Sequence, residues 1–273
     1  MIAATLAAGA VAILGTPDPA AKAAASLDLA AAWSAGTTTI GVAEPPPHPA
    51  RPVRPELRPP REMPKRRNFG SPPGRVALIH SLAHIELNAI DLAWDIIARF
   101  AGIGLPRDFF DDWAGVAAEE ARHFLLLSAR LADFGSRYGD LPAHDGLWEA
   151  AAATAGDLLA RLAVVPLVLE ARGLDVTPEM SARLERAGDT QSAALLRVIY
   201  QQEIGHVAIG RRWFDRLCRA QGLIPEQVFH DRVRRFFKGE LKAPFNHAAR
   251  AAAGFPARYY EPLARPGEGG AAS

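Results

Sequence analysis

The chain has 273 residues, of which 49% are hydrophobic and 22% are charged, and its net charge is +1. This composition is typical of a globular protein with a sizeable core, and the length suits one large domain or two small ones. So low a net charge argues against nucleic acid as a partner, because that usually needs a strong basic excess. Cys218 is the single cysteine. It excludes an internal disulfide or a cysteine-built metal site and favours a cytoplasmic location.

The N-terminal run MIAATLAAGAVAILG is apolar. A secretory signal would require a basic residue before the run, and there is none. The run is also shorter than the roughly 20 apolar residues of a membrane span. The run therefore predicts a helix packed on the protein's own core, with a signal peptide as the alternative and no membrane partner. A second helix is predicted to start after an Asp18 cap, with Pro19 as its first residue, and to end near Trp33.

Residues 45–64, PPPHPARPVRPELRPPREMP, are too rich in proline for a helix or a central strand and predict an extended connector. From Arg51 to Arg75 there are eight basic residues against two acidic ones. The basic strip 51–67 has two interpretations: a binding site for RNA or another anion, or a linker that pairs with acidic helix faces. The nearly neutral total charge favours the linker.

From Ser71 onward, apolar residues recur at helical spacing, and no segment alternates with the two-residue period of a strand. The chain is therefore predicted to be all-α. Pro166 is expected to kink the third of these helices, and Thr177 with Pro178 to begin the short fourth one. The predicted helices cover residues 71–100, 108–134, 146–172, 178–187, 189–220 and 225–237.

Two of these helices carry the same motif, a glutamate followed three residues later by a histidine. The segment EEARH contains Glu120 and His123, and QEIGH contains Glu203 and His206. Residues three apart share one face of a helix, so each pair can point into the core together. One such pair alone is weak evidence for a site, because it is more often part of a solvated face.

A further glutamate precedes each motif at a matched distance. Glu86 lies 34 residues before Glu120, and Glu170 lies 33 residues before Glu203. The chain thus uses twice a unit made of a glutamate, a helical hairpin and Glu-x-x-His. Two glutamates and two Glu-x-x-His pairs form the ligand set of carboxylate-bridged di-metal bundles.

The residue types agree with that chemistry. Two divalent cations about 3.5–4 Å apart can be joined by bridging carboxylates, and imidazole suits iron, manganese or zinc. Burying four carboxylates without cations would cost several kcal/mol for each charge or force protonation. The predicted cofactors are two metal ions, with iron favoured and manganese as the alternative. One feature departs from the pattern, because ARGLDVTP is expected to break the helix soon after Glu170.

Residues next to the motifs suggest further roles. Glu119 and Gln202 each precede a motif histidine by four residues, so either could hold its imidazole in one tautomer; the alternative is an ordinary surface position. Tyr200 precedes Glu203 by three residues. It is either a donor of a proton or an electron, or a core tyrosine with a bonded hydroxyl.

Three more residues stay outside the predicted ligand set. Gly205, inside EIGH, costs the helix about 1 kcal/mol, which suggests close approach by another helix or by substrate. His80 and His84 lie on the helix of Glu86, but their angular positions differ from that of Glu86. They are predicted to be packed or exposed histidines, although one of the two could reach the site.

Several segments resemble an uncharacterised bacterial family labelled domain of unknown function 455, within the ferritin-like superfamily of ferritins, rubrerythrins and di-iron oxygenases. The resembling segments are HIELNAIDLAWD, EEARHF, VVPLVLEARGLDVTP, EIGHVAIG and KGELKAPFN. The resemblance covers nearly the whole chain and implies a ferritin-like four-helix bundle but no substrate. The ligands it implies are Glu86, Glu120, His123, Glu170, Glu203 and His206.

On this interpretation the bundle is flanked by N-terminal helices, the proline-rich connector and short C-terminal helices. The predicted organisation is an N-terminal helical extension (1–44), the connector (45–70), the di-metal bundle (71–222), a C-terminal helical segment (223–264) and a disordered tail (265–273). The extensions do not suit the compact subunit of a storage cage, so a monomer or dimer is expected.

The resemblance suggests an O₂-activating di-iron oxidoreductase, a hydroxylase or oxidase of a small or nucleoside-like substrate that also needs an electron donor. By analogy at the level of the fold, the tRNA-modifying hydroxylases of this superfamily add a nucleic-acid substrate as a further alternative, to which the basic strip 51–67 would then be relevant. The alternatives are a ferroxidase or other iron-handling protein, and a metal-binding structural bundle without catalysis.

Overall fold

The structure is a computed structural model that describes residues 5–63 and 69–265. Within these residues the only strand pairing longer than an isolated bridge joins β1 (Leu241–Lys242) to β2 (Ala264–Arg265) in parallel. The all-α prediction is confirmed. The helices are α1 (Leu6–Leu14), α2 (Pro19–Ser34), α3 (Pro72–Phe100), α4 (Arg107–Asp133), α5 (Gly146–Ala153), α6 (Leu158–Val164), π1 (Val165–Glu170), α7 (Ala171–Arg186), α8 (Thr190–Ala220), α9 (Pro225–Phe236), α10 (His247–Ala252) and α11 (Ala257–Tyr260).

The chain forms two compact units. Unit 1 contains the described residues of Met1–Glu149 and Arg183–Leu195, and unit 2 those of Ala150–Ala182 and Leu196–Ser273. The helices α5, α7 and α8 each have residues in both units. Each unit carries one of the two predicted glutamate and Glu-x-x-His sets.

In unit 1 the N-terminal helices pack on the core, as predicted. Leu6, Ala7 and Ala10 of α1 are fully buried, and α1 packs along α3. Asp18 caps α2 by accepting a hydrogen bond from the Ala21 amide at 2.8 Å, and Pro19 is the first helical residue. The cap and the proline therefore fix the start of α2 at the predicted position.

The helices α3 and α4 form the centre of unit 1. Ser71 caps α3, and both helices match their predicted ranges to within one residue at each end. The segment Pro72–Ile103 is long and apolar enough to cross a membrane, but 72% of its most apolar window is buried within the protein. Its packing against α1, α2 and α4 is that of a core helix.

The proline-rich connector is held against unit 1. The Arg51 guanidinium donates to Asp91 at 2.7 Å and to Asn88 at 2.6 Å, both on α3. Backbone bonds join Ala143 to the connector, from Ala143 N to Glu56 O (3.0 Å) and from Arg58 N to Ala143 O (2.8 Å). Arg51 thus pairs with an acidic helix face, in agreement with the linker interpretation. The remainder of the basic strip at 64–67 lies outside the described residues.

The prediction of one continuous third helix over residues 146–172 is wrong. The chain leaves the helix after Ala153, and α6 begins at Leu158 behind an Asp157 cap whose carboxylate accepts from the Ala160 amide at 2.9 Å. Instead of a simple kink, Pro166 lies in the π-helical segment π1. An aspartate is a strong N-cap, and it outweighs the continuous apolar pattern across this region.

The predicted break after Glu170 is also wrong, and residues 178–187 are not a separate short helix. The helix α7 continues from Ala171 through Pro178 to Arg186. Proline has no N–H to donate to the carbonyl four residues earlier, which is that of Leu174. The side chain of Asn246 donates to this carbonyl instead, at 3.1 Å. Glu170 therefore lies near the middle of a helical run and not at its end.

The C-terminal part of unit 2 contains the predicted short helices, α9, α10 and α11, and the strand pair. Arg250, 2% exposed, donates two hydrogen bonds to the buried Asp175 of α7, at 2.8 and 2.7 Å. Its guanidinium also lies 4.4 Å from the ring centroid of Tyr260. Of the predicted disordered tail, Arg265 belongs to β2, and residues 266–273 lie outside the described residues.

Candidate metal centre

In unit 1, α3 and α4 bring together a first half-site, defined as Glu86, Glu120 and His123. Glu86 lies midway along α3, and the other two residues lie midway along α4. All three are buried, with exposures of 6%, 1% and 0% respectively. The apolar neighbours on both helices exclude water from these side chains.

The first half-site is a close cluster of donor atoms. His123 Nδ1 lies 3.2 Å from Glu86 Oε2 and 3.3 Å from Glu120 Oε2. Each residue offers one ligand atom, and these atoms lie within 4.8 Å of one another. The prediction that the first hairpin holds both carboxylates at one level is confirmed.

The electrostatic environment of this cluster favours the binding of protons or a cation. Burial raises the pKa of Glu86 well above its usual range, and the neighbouring Glu120 raises it further. Burial also lowers the pKa of His123, but hydrogen bonds to Glu120 and Glu86 outweigh it and raise the pKa to about 11. Protons therefore occupy this cluster when no cation does. Two carboxylates and an imidazole, converging in a buried site, fit a divalent metal that would replace those protons.

In unit 2, the second half-site is defined as Glu170, Glu203 and His206. The two α8 residues are adjacent, with 3.4 Å between His206 Nδ1 and Glu203 Oε1. His206 is 1% exposed, and the Glu203 side chain is 13% exposed. Glu170 is half-buried and is the last residue of π1. Such π-helical turns are rare, and they frequently occur at functional sites.

Two contacts within unit 2 set the level of Glu170 relative to the α8 motif. On one side, Gly210 packs closely on Pro166, because a Cβ built on the glycine would lie 2.5 Å from Cβ and Cγ of the proline ring. Pro166 is one turn before Glu170, and Gly210 is one turn after His206. This close approach fixes α8 against π1.

The other contact runs through Asn246. Its amide nitrogen donates to the Leu174 carbonyl at 3.1 Å and to the Tyr200 hydroxyl at 3.0 Å. Leu174 is one turn after Glu170, and Tyr200 is nearly one turn before Glu203. The two contacts therefore bracket the second half-site, and they place Glu170 opposite the α8 motif at one level of the helix pair.

No helix of the described residues approaches Gly205, so that part of the expectation is wrong, whereas approach by substrate stays a prediction; the close helix contact lies at Gly210 instead. Gly205 is exposed, and a Cβ built on it would meet no atom within 4 Å. The two glycines differ by five positions, so they lie on different sides of α8. Of the two, only Gly210 faces a neighbouring residue, the Pro166 ring, with which a side chain would collide.

Comparisons with known proteins agree with the resemblance to the family labelled domain of unknown function 455. Residues 15–261 match a family described as "Protein of unknown function (DUF455)". The chain belongs to this family. An uncharacterised protein of Haemophilus influenzae is 41% identical over 213 residues, which are 76% of this chain and 73% of that protein. No solved structure matches.

The residues next to the motifs have varied surroundings. Glu119 lies 4.0 Å from Arg122, and both line an open groove between α2 and α4. Gln202 is half-buried on α8. The bonds from Glu119 to His123 and from Gln202 to His206 stay predictions. The Tyr200 hydroxyl is bonded by Asn246, as the interpretation of a core tyrosine expects.

His80 and His84 are packed histidines of unit 1. His84 Nδ1 lies 2.8 Å from the Tyr138 hydroxyl, and His80 Nε2 accepts from the Gly139 amide at 2.9 Å. Both imidazoles stack on the Tyr138 ring. Burial lowers the pKa of each to about 4, so both rings are neutral near pH 7. Their role is to tie α3 to the loop after α4.

Neither the role of Asn246 nor the π-helical turn π1 was predicted from the sequence. Asn246 lies in KGELKAPFN, a segment that carried the family resemblance, but its partners Leu174 and Tyr200 are far away in the chain. The signal for an unusual turn was Pro166 inside an apolar run, which is equally compatible with a kink.

Proposed function

We propose that the duplicated donor set, one half in each unit, binds a pair of metal ions that activates O₂ to oxidise a small molecule. The observation that carries this proposal is the duplicated donor set. Each unit has two carboxylates and one imidazole at one level of two helices, in the same chain order and with nearly the same spacing, 34 and 33 residues between the glutamates. A duplicated set of this kind is the ligand pattern of di-metal carboxylate bundles.

The residues divide into two roles. The carboxylates would hold and bridge the metals, and His123 and His206 would be terminal ligands. A reduced iron pair supplies electrons and open coordination positions for O₂, whereas manganese accepts the same donors. The carboxylate ligands are Glu86, Glu120, Glu170 and Glu203.

The chain's own groups would manage protons during loading. Because the pKa values of Glu86 and His123 are raised, a cation that binds at the first half-site would compete with protons. In the second half-site, the Tyr200 oxygen accepts from Asn246, so its own proton stays available for donation. An external electron donor would return the metals to the reduced state.

The test is an anaerobic titration of the full-length protein with Fe(II), followed by measurement of bound metal and then of O₂ uptake. We expect about two metal ions per chain. The variants Glu120→Ala and Glu203→Ala should each lose most of the metal. The exposed residue Gln201, on the same helix as Glu203, provides the control Gln201→Ala, which should keep the wild-type stoichiometry.

Full metal occupancy in both glutamate variants would overturn the assignment. Fe(II) oxidation without turnover of any candidate substrate, in a large cage by size-exclusion chromatography, would establish the ferroxidase alternative instead. Bound metal with no O₂ uptake at all would leave a metal-binding structural bundle.

A further inference from the structure

The loop before α10 is tied to both helices of the second half-site through a single side chain, that of Asn246. Its amide nitrogen donates to Leu174 O on α7 and to the Tyr200 hydroxyl on α8. Its Oδ1 accepts from the Ala249 amide at 3.1 Å and so caps α10. All the hydrogen-bonding groups of this side chain are therefore in use.

The bond to Leu174 replaces one that the helix cannot make. Pro178 lacks the N–H that would normally reach the Leu174 carbonyl, and an unsatisfied carbonyl at this position would weaken α7. Because Asn246 satisfies it, α7 continues past Glu170 without a break.

Asn246 is itself fixed by buried charge. Its backbone N–H donates to Asp175 Oδ1 at 2.9 Å, and Asp175, with a fully buried side chain, also accepts two hydrogen bonds from Arg250. A buried ion pair with these extra hydrogen bonds has a defined geometry. The Asn246 side chain is therefore held in place before it meets Tyr200.

The contact with Tyr200 determines what this hydroxyl can do. Because its oxygen accepts from Asn246, its proton is directed away from the asparagine. Tyr200 and Glu203 are three apart on α8 and share a face, on the side where Glu170 lies opposite. Carboxylates that bind metals are usually hydrogen-bonded by a further group, which sets their orientation.

We propose that Asn246 is a positioning residue of the second half-site, which acts through Tyr200. Through the Leu174 carbonyl and the Tyr200 hydroxyl, Asn246 joins α7 to α8 close to Glu170 and Glu203, and so holds these two glutamates at one level. The Tyr200–Asn246 pair would then set the affinity of this half-site for metal. The inference rests on the proposed function, since it concerns the same centre.

The test compares metal binding in variants that separate this role from support of α7. Asn246→Ser keeps an oxygen to cap α10 but is too short to reach Tyr200. We expect it to weaken binding of one of the two metal equivalents by about 10- to 100-fold, the usual effect of removing a partner of a metal ligand. Tyr200→Phe should have a similar effect, and the double variant should be no worse than either single one. Co(II) absorption would report the changed coordination.

A rescue variant separates the two functions of Asn246. Pro178→Ala restores the N–H that Leu174 lacks, so Asn246→Ser with Pro178→Ala should recover thermal stability. The metal defect should remain, because the alanine does nothing for Tyr200. Recovery of metal affinity together with stability would overturn the proposal, and so would normal binding of both equivalents in Asn246→Ser. If the wild-type protein bound no metal, the proposed function would fail instead.

Discussion

The two half-sites have the same donors, but the helices that carry them are supported differently. In unit 1, Glu86 lies on α3, an uninterrupted α-helix of 29 residues. In unit 2, Glu170 lies where π1 meets α7, between Pro166 and Pro178. The first arrangement depends on regular helix packing, whereas the second needs Gly210 and Asn246 to hold an irregular helix in place.

This difference has a consequence for chemistry. The first half-site is almost fully enclosed, and its donor atoms are already in contact. In the second, Glu170 is half-buried and the Glu203 side chain is 13% exposed. The second half-site is therefore more accessible to small molecules. We expect the first to bind metal more tightly and the second to be the more adjustable.

The largest difference between the two half-sites is expected in metal affinity when their upstream glutamates are removed. Glu86→Ala should weaken the tighter metal equivalent by more than about 100-fold, because loss of even an outer hydrogen-bond partner costs 10- to 100-fold. Glu170→Ala should affect the weaker equivalent instead. Anaerobic equilibrium dialysis with Fe(II) or Co(II) would resolve the two classes of site.

The control for this pair is Arg122→Ala, an exposed change next to the first half-site that leaves its donors in place. It should bind both metals as the wild-type protein does. The prediction of unequal half-sites would be wrong if the two glutamate variants lost the same equivalent.

The two glycines of α8 test the support of the second half-site. Gly210→Ala should lower the free energy of unfolding by about 1–3 kcal/mol, because the new methyl group would collide with the Pro166 ring. Gly205→Ala is the matched control. It should raise the free energy of unfolding by up to about 1 kcal/mol, since its methyl group meets nothing and alanine favours the helix. Urea denaturation of both variants measures the contrast, which equal effects would contradict.

The sequence predicted unit 1 better than unit 2, for a physical reason. The boundaries of α3 and α4 follow from local signals: Ser71 as cap, a long periodic apolar face and the glycine-rich turn after Phe100. The contact between Glu86 and His123 then follows from matched depths on a regular hairpin. Local chemistry and tertiary packing agree along this part of the chain.

In unit 2 the local sequence signals gave wrong helix boundaries, because residues distant in the chain compensate for a local helix breaker. Pro178 would normally end or start a helix, but Asn246, 68 positions later, supplies the missing hydrogen bond. Asp157 divides the third helix although the apolar pattern continues through it. The spacing of the predicted ligand residues was not affected by these errors, since it does not depend on how the helix between them is built.

The metal-free protein should lose stability as pH rises, because groups of the first half-site lose protons that the folded state binds tightly. The pKa of His123 is about 11 in the folded protein and about 6.5 when unfolded, so the native state binds the proton more tightly. Its contribution is fully present below pH 6.5 and is lost between pH 6.5 and 11. The raised pKa of Glu86 likewise makes the folded protein lose stability as pH rises above the pKa that this group has in the unfolded chain.

The melting temperature of the metal-free protein should therefore fall between pH 7 and 9, and Glu86→Gln should reduce the slope. Metal-loaded protein should show a smaller fall, because a cation has replaced the protons. A melting temperature that rises over this range in the metal-free state would contradict the assignment of protons to the first half-site.

The smallest effect is expected from the histidines that tie α3 to the loop after α4. The pKa of His80 is about 4 in the folded protein and about 6.5 unfolded, because burial disfavours the charged ring. Its contribution to stability is present above pH 6.5 and is lost as pH falls towards 4. In His80→Gln, the side-chain carbonyl can accept from the Gly139 amide but does not titrate. The variant should therefore lose less stability between pH 6.5 and 4.5.

The change should be modest, since His84 still titrates, and each 1 kcal/mol corresponds to about 2–4 °C in a domain of 150–250 residues. Thermal melts of both proteins across this range measure it. The corresponding tie on α7, Asn246, has no ionisable group, so Asn246→Ser should shift the melting temperature by the same amount at every pH. If the melting temperature of Asn246→Ser fell more steeply towards acid pH than that of the wild-type protein, the contrast between the ionisable contacts of unit 1 and the non-ionisable contact of unit 2 would be wrong.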